Sequence, residues 1–225
     1  MKFLERSFVE DSSYRPRPYI HWNSDEGLLV IATPWGQDTP KNDLIQKIED
    51  YISSSKLDHE LTSPFQSLQN YDKAANSIRT ALLLANESIY KSKNKNEYTS
   101  GFEILVGVAK NNQFYFATVG HPHVLLSKND KNILPLFMDL DHSLNLSNKK
   151  LLPALPDKLL GVNAQVDFQV HNFKYQKGDQ LILMSKSWIP EDFFTLPKGQ
   201  RNFDNYVKKL AKDDSQPFWL GVMEF

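Results

Sequence analysis

The sequence predicts an α+β fold, a sandwich of antiparallel sheets covered by helices. Three observations carry that prediction. Apolar residues repeat at helical spacing in two early segments, the period changes from 3.6 to 2 after Thr99, and the alternating runs that follow are short and separated by polar turns. A strand that alternates apolar and polar residues buries one face, so a string of such strands needs a second layer, and helices supply the cover. The 225 residues suit one large domain, and residues 1–225 are read as a single domain.

In chain order, the first strand candidates are Phe3–Glu10 and Gly27–Ala32. The second reads GLLVIA, apolar throughout, which implies burial on both faces. A helix follows, capped by Thr39 with Pro40 at its first position, where a missing N–H costs nothing. Leu44, Ile45, Ile48, Tyr51 and Ile52 form its stripe, and Ser53-Ser54-Ser55 ends it. A second helix covers Asp72–Lys91, with Ala74, Ala75, Ile78, Ala81, Leu82, Ala85 and Ile89 on one face. The polar stretch Lys91–Thr99 is a loop. Phe102, Ile104, Val106 and Val108 alternate as a strand, Asn111-Asn112 turns the chain, and Gln113–Val119 runs back. His123–Ser127 is a further strand, closed by the turn Lys128–Asn132, and Val166, Phe168 and Val170 alternate again. Lys177-Gly178-Asp179 turns into the strand Gln180–Met184, a helix spans Arg201–Lys212, and Phe218–Phe225 is the last strand.

Composition excludes several classes of function. Lys plus Arg number 26 and Asp plus Glu 27, a net charge of −1, so binding nucleic acid or a membrane surface by bulk basic charge is not expected. There is no cysteine, which removes disulfides, thiolate zinc sites, iron–sulfur clusters and cysteine nucleophiles. Glu5 and the charges around it leave no signal-peptide core, no run reaches the length of a spanning helix, and the expected location is cytoplasmic. No Gly-rich phosphate loop is present.

Several short pieces, in order and spacing, resemble the metal-dependent, PPM-type protein serine/threonine phosphatases over nearly the whole chain. The resemblance implies a four-layer α/β/β/α sandwich, two antiparallel sheets flanked by helix pairs. Arg6-Ser7-Phe8-Val9-Glu10-Asp11 is similar to the family's opening Arg and acidic pair, which implies phosphate contact for Arg6 and metal binding for Glu10 and Asp11. Where the family ends its next strand in Asp-Gly-x-Gly-Gly, this chain has Thr33-Pro34-Trp35-Gly36-Gln37. Gly120-His121-Pro122 stands for Gly-Asp-Ser, while Asp141-His142-Ser143 matches the family's Asp-His-Ser and Leu160-Gly161 its Leu-Gly pair. The strand Gly178–Ser185 is very like the family's, but Lys186-Ser187-Trp188 replaces the Asp-Gly that follows it. Gln216-Pro217 stands where the family has Asp-Asn. The scaffold pieces are kept, and carboxylates are lost at Thr33, His121, Lys186 and Gln216.

The family's reaction is two-metal hydrolysis, in which Mg²⁺ or Mn²⁺ ions activate a bridging water. Such hard cations need several anionic oxygens. Thr33 and Gln216 supply neutral ones. Lys186 supplies a repulsion, roughly 4 kcal/mol between unit charges at about 4 Å and an effective dielectric near 20, and about twice that against a divalent ion. Metal binding by the family scheme is therefore expected to fail, with the Lys186 ammonium filling the space and pairing with Glu10 or Asp11.

Other constellations have simpler readings. His121-x-His123 is half of a zinc site or a pair of histidines in a strand-joining turn, and no third ligand is specified. Asp139-x-Asp141-His142 is a metal cluster or a loop that bonds its own backbone. Ser185-Lys186-Ser187 lacks Ser-x-x-Lys spacing. Trp35, Trp188 and Trp219 either form an apolar binding patch or fill the core. The expected function is a catalytically inactive, pseudophosphatase-like domain that binds proteins or regulates them. It needs no cofactor, its partner is a protein or a phosphoprotein held without hydrolysis, and its binding residues include Arg6, Trp35 and Lys186. The alternative is an active phosphatase with a divergent site, in which Glu10, Asp11, Asp139 or Asp141, with His121, hold one Mg²⁺ or Mn²⁺. A self-assembling structural subunit is a third option.

Overall fold

The structure is a computed structural model and describes residues 2–8, 15–37, 39–57, 64–129, 131–143, 152–211 and 216–225. The strands are β1 (Lys2–Phe8), β2 (Tyr19–Asn23), β3 (Leu28–Gly36), β4 (Ser100–Lys110), β5 (Gln113–Val119), β6 (His123–Ser127), β7 (Leu134–Phe137), β8 (Val170–Lys174), β9 (Gln180–Ser185) and β10 (Phe218–Glu224). The helices are α1 (Lys41–Leu57), α2 (Lys73–Ile89), α3 (Glu191–Phe194) and α4 (Phe203–Ala211). Contacts divide the chain into two compact units, one of Met1–Arg17, His121–Asp157 and Tyr175–Phe225, the other of Pro18–Gly120 and Lys158–Lys174.

The second of these units holds a five-stranded antiparallel sheet in the order β2-β3-β4-β5-β8, with α1 and α2 on one face. Leu28, Val30 and Ala32 on β3 and Ile104, Val106 and Val108 on β4 point to that face and pack against Ile48, Ile52, Ile78, Leu82 and Ala85. The alternate residues Leu29, Ile31, Leu105, Phe114 and Phe116 are also buried, which accounts for the unbroken apolar run of β3. Asp72 caps α2 by accepting a hydrogen bond from the Ala75 N–H at 2.9 Å. Asn111 and Asn112, both at positive φ (52° and 59°), close the β4–β5 hairpin as their sequence predicts.

The other unit holds a five-stranded antiparallel sheet in the order β1-β10-β9-β6-β7. Leu125, Ile182, Met184, Leu220 and Val222 pack against Phe193 of α3 and Tyr206, Val207 and Leu210 of α4.

Several boundaries differ from those expected. β2 and β7 are additional edge strands; β2 (YIHWN) has a weak alternation, and Pro135 breaks the pattern of β7. Strand β8 begins only at Val170, while Val166 and Phe168 pack onto the helix-side core without pairing. Helix α1 continues through its three serines to Leu57, because the Ser55 hydroxyl is satisfied by the Ile52 carbonyl and by Ser77 (2.8 and 3.0 Å). The loop after α2 opens with a π-helical turn, Tyr90–Asn94. Helix α4 starts at Phe203 because Arg201 instead donates to the carbonyls of Leu196, Lys128 and Lys131.

Candidate functional site

Three of the four positions that the sequence marks as altered, His121, Lys186 and Gln216, belong to the unit that holds the β1-β10-β9-β6-β7 sheet. Met184 pairs with His123, Ser185 with Trp219, and Phe218 with Phe8. Strand alternation then puts Lys186, immediately after β9, on the same face as Met184, His123, Phe218 and Phe8. Lys186 is 1% exposed, and its ammonium lies 5.4 Å from the centre of the Phe218 ring, which in turn stacks on Phe8 at 5.6 Å. A cation over an aromatic face is stabilised by the ring quadrupole, the more so away from water. Arg6, two residues before Phe8 on edge strand β1, lies opposite Leu220 and is exposed.

His121 and His123 are buried with ring centres 4.7 Å apart. The Asp139 N–H donates to Nδ1 of His123 at 3.1 Å, and the His123 ring also bonds the Lys186 backbone. The ring thus ties the segment after β7 to the end of β9. Burial, and then the neighbouring His121, push the His123 pKa down to about 3.

Asp141 is committed to its own loop. Its Oδ1 accepts from the N–H groups of Ser143 and Leu155, both at 2.9 Å. Burial would raise its pKa, but hydrogen bonds from the Ser187 hydroxyl, the Leu155 backbone and Ser143 outweigh it and hold the group below the usual carboxylate range. Ser143 Oγ donates to Ser187 Oγ at 2.7 Å, and His142 pairs with Asp157 at 2.8 Å. The Asp-His-Ser run therefore does what its turn chemistry implies. Gln216 accepts from the Trp188 N–H at 3.3 Å and donates to the Leu152 carbonyl at 3.5 Å, a bridge that a carboxylate cannot make with a carbonyl.

Thr33, Pro34 and Trp35 belong to the other unit, at the end of β3, opposite Glu103, Phe102 and Gly101. The tryptophans do not share one role. Trp219 is core and its indole N–H donates to Glu5 at 2.8 Å, Trp188 is 47% exposed, and Trp35 is partly buried. Glu10 and Asp11, and with them the expected partner of Lys186, lie outside the described residues. Sequence reading missed Glu103, fully buried opposite Thr33, whose signal is one acid in an apolar strand, and Arg15, buried and electrostatically coupled to His123.

The chain is similar over nearly its whole length to several solved structures, PPM-type phosphatases among them. PppA, described as a key regulatory component of the T6SS in Pseudomonas aeruginosa, matches with a TM-score of 0.63 at 16% identity over 100% of this chain and 97% of that one. The PPM Ser-Thr phosphatase MsPP from Mycobacterium smegmatis, solved with cacodylate, matches at 0.61 and 11% identity over 100% and 98%. The catalytic domain of the serine/threonine phosphatase PstP, solved with two manganese ions, matches at 0.61 and 12% over 99% and 97%. The chain has the PPM-type phosphatase fold. No family model matches it, and neither does any curated protein.

Among the described residues, the four positions where the resemblance puts carboxylates do not supply the anionic oxygens that hard divalent ions need. They present a hydroxyl, an imidazole, an ammonium and a bridging amide. Among the described residues, no three His, Asp or Glu side chains converge as a metal site, and no helix is long and apolar enough to cross a membrane.

One consequence is acid lability. A histidine kept neutral in the folded state binds a proton more readily when unfolded, so its contribution is complete above the unfolded pKa near 6.5 and is lost as pH falls towards 3. Stability measured in urea is expected to fall by about 1.4 kcal/mol per pH unit below about pH 6 from this group alone. His123→Asn should flatten that slope. An unchanged slope would show that the imidazole is not the titrating group.

Proposed function

We propose that this chain is a catalytically inactive PPM-type phosphatase-like protein that acts by binding another protein in a regulatory role. The observation that carries this reading is Lys186, buried directly after β9, where a metal carboxylate is expected from the sequence resemblance. A fixed cation there opposes a divalent ion, and the backbone hydrogen bonds that His123, Asp141 and Gln216 accept serve loop architecture. PppA offers a precedent for a regulatory protein on this fold. The partner is a protein, in one form a phosphoprotein held without hydrolysis. Arg6, which is exposed, and Trp35, which is partly buried, are the contact residues this reading assigns, while Lys186 acts from inside.

The test is calorimetric titration with Mn²⁺, together with hydrolysis of an aryl phosphate and of a phosphopeptide in the same metal. The expected result is no micromolar binding and no turnover above buffer. Manganese-dependent turnover abolished by Asp11→Asn would instead establish the alternative, an active phosphatase with a rearranged metal site.

A further inference from the structure

We propose that β2 is a releasable cover strand, latched to α1 by the Glu49 carboxylate and able to open while the rest of its sheet stays closed. The strand stands at the end of its sheet and, among the described residues, pairs with β3 alone. Tyr19, His21 and Asn23 lie opposite Ala32, Val30 and Leu28, whose side chains face the helices, so this row faces the helices too. At the matching positions β3 and β4 carry core aliphatics, whereas β2 carries a phenol, an imidazole and an amide. No residue of β2 joins the core between sheet and helices, and none is fully buried. Ile20 and Trp22, on the opposite face, are partly buried. Elements with few buried apolar contacts are the ones that open locally.

What holds the row to α1 is polar. The Asn23 side-chain amide donates to Glu49 Oε1 at 2.7 Å, Nε2 of His21 lies 3.1 Å from Glu49 Oε2, and the Lys41 ammonium stands over the Tyr19 ring at 5.3 Å. The spacings match. Lys41 and Glu49 lie a little over two turns apart, about 12 Å along α1, and Tyr19 to Asn23 spans about 13 Å of strand. Two of these three ties end on one carboxylate. The Asn23 hydrogen bond holds the Glu49 carboxyl below the usual carboxylate range, with His21 acting the same way and burial acting against both, so the group is ionised at neutral pH. Asn23 also accepts from the N–H groups of Asp25 (3.1 Å) and Glu26 (3.2 Å), so it sets the turn into β3 as well. From Gly27 onward the chain is fixed to β4, because the Ala109 N–H donates to the Gly27 carbonyl at 2.8 Å. The hinge therefore lies between Asn23 and Gly27. Opening bares the outer edge of β3, and a bare apolar strand edge is a template for an added extended segment.

The inference goes beyond the proposed inactivity and does not depend on it, because amide hydrogen exchange is read on the full chain without metal or partner. Exchange followed by mass spectrometry at neutral pH should show the amides of β2 exchanging at least about tenfold faster than those of β4 and β5. Glu49→Ala should speed β2 by about a further tenfold and leave β4 and β5 unchanged. Glu49→Gln, which keeps an oxygen for Asn23 and removes the charge, should lie between the natural protein and Glu49→Ala. Asp50→Ala, which removes an exposed carboxylate of the same helix, should leave β2 unchanged. Asn23→Ala removes the other partner of the shortest tie, so adding Glu49→Ala to it should speed β2 by less than Glu49→Ala does alone. The proposal fails if β2 is protected as well as β4, or if Glu49→Ala leaves β2 unchanged. It also fails if Glu49→Ala speeds β4 and β5 as much as β2, since the carboxylate would then stabilise the whole unit and latch nothing.

Discussion

Gly161→Ala is expected to lower the unfolding free energy by at least about 3 kcal/mol, and Asn94→Ala by a similar amount. Gly161 has φ +88°, and a Cβ built there would lie 2.3 Å from Cγ2 and 2.7 Å from Cβ of Ile89. Either a left-handed backbone is forced on an alanine or the last residue of α2 must move, and Ile89 belongs to the helix-side core. The same glycine is clamped from both sides, its N–H donating to Asn86 Oδ1 at 2.7 Å and its carbonyl accepting from Asn94. Truncating Asn94 removes its four bonds to the backbone of Thr99, Ser100 and Gly161 and strands buried backbone groups, each worth about 1–3 kcal/mol when unsatisfied. Urea denaturation measures both variants. Their double mutant should lose less than the sum, since both act on one junction. A loss under about 1 kcal/mol in each would show that the junction is not rigid.

That junction also shows where sequence reading ends. Gly161 is legible in the chain as half of a Leu-Gly pair, and Asn94 as one more polar residue in a charged loop. What they do depends on a residue about seventy positions away, which no local period encodes. The helices α1, α2 and α4 and the strands β3, β4, β5, β6, β9 and β10 were readable because burial of one face imposes a spacing. Edge strands β2 and β7 were not, because an edge has fewer neighbours and tolerates His, Asn and Pro. The expected site rests on a different kind of signal. Thr33, His121, Lys186 and Gln216 each sit beside residues that keep the pattern of the resemblance, which is why the sequence expects a carboxylate at each. The bridging by Gln216 and the depressed basicity of His123 could not be read in that way, since both arise from groups brought in by folding.

Lys186→Asp should destabilise the chain by about 3–5 kcal/mol, whereas Lys186→Met should stay within about 1.5 kcal/mol of the natural protein. The two substitutions separate charge from volume. Methionine keeps an unbranched chain against the Phe218 ring and replaces a cation–π contact with a sulfur–aromatic one. Aspartate puts an anion at a position 1% exposed to solvent, against an aromatic face that repels negative charge. Urea denaturation with and without manganese then tests the proposed inactivity at its root. If four replacements together dismantled a dinuclear site, restoring one carboxylate among a hydroxyl, an imidazole and an amide leaves too few anionic oxygens, and manganese will not recover the lost stability. A metal that binds only the folded state adds RT ln(1 + [L]/Kd), about 2.7 kcal/mol at a hundredfold excess over Kd, so recovery of that size is readily seen. Such recovery at micromolar manganese would mean that a single side chain separates this protein from a metal enzyme, and the ammonium would then be a plug in an otherwise competent site.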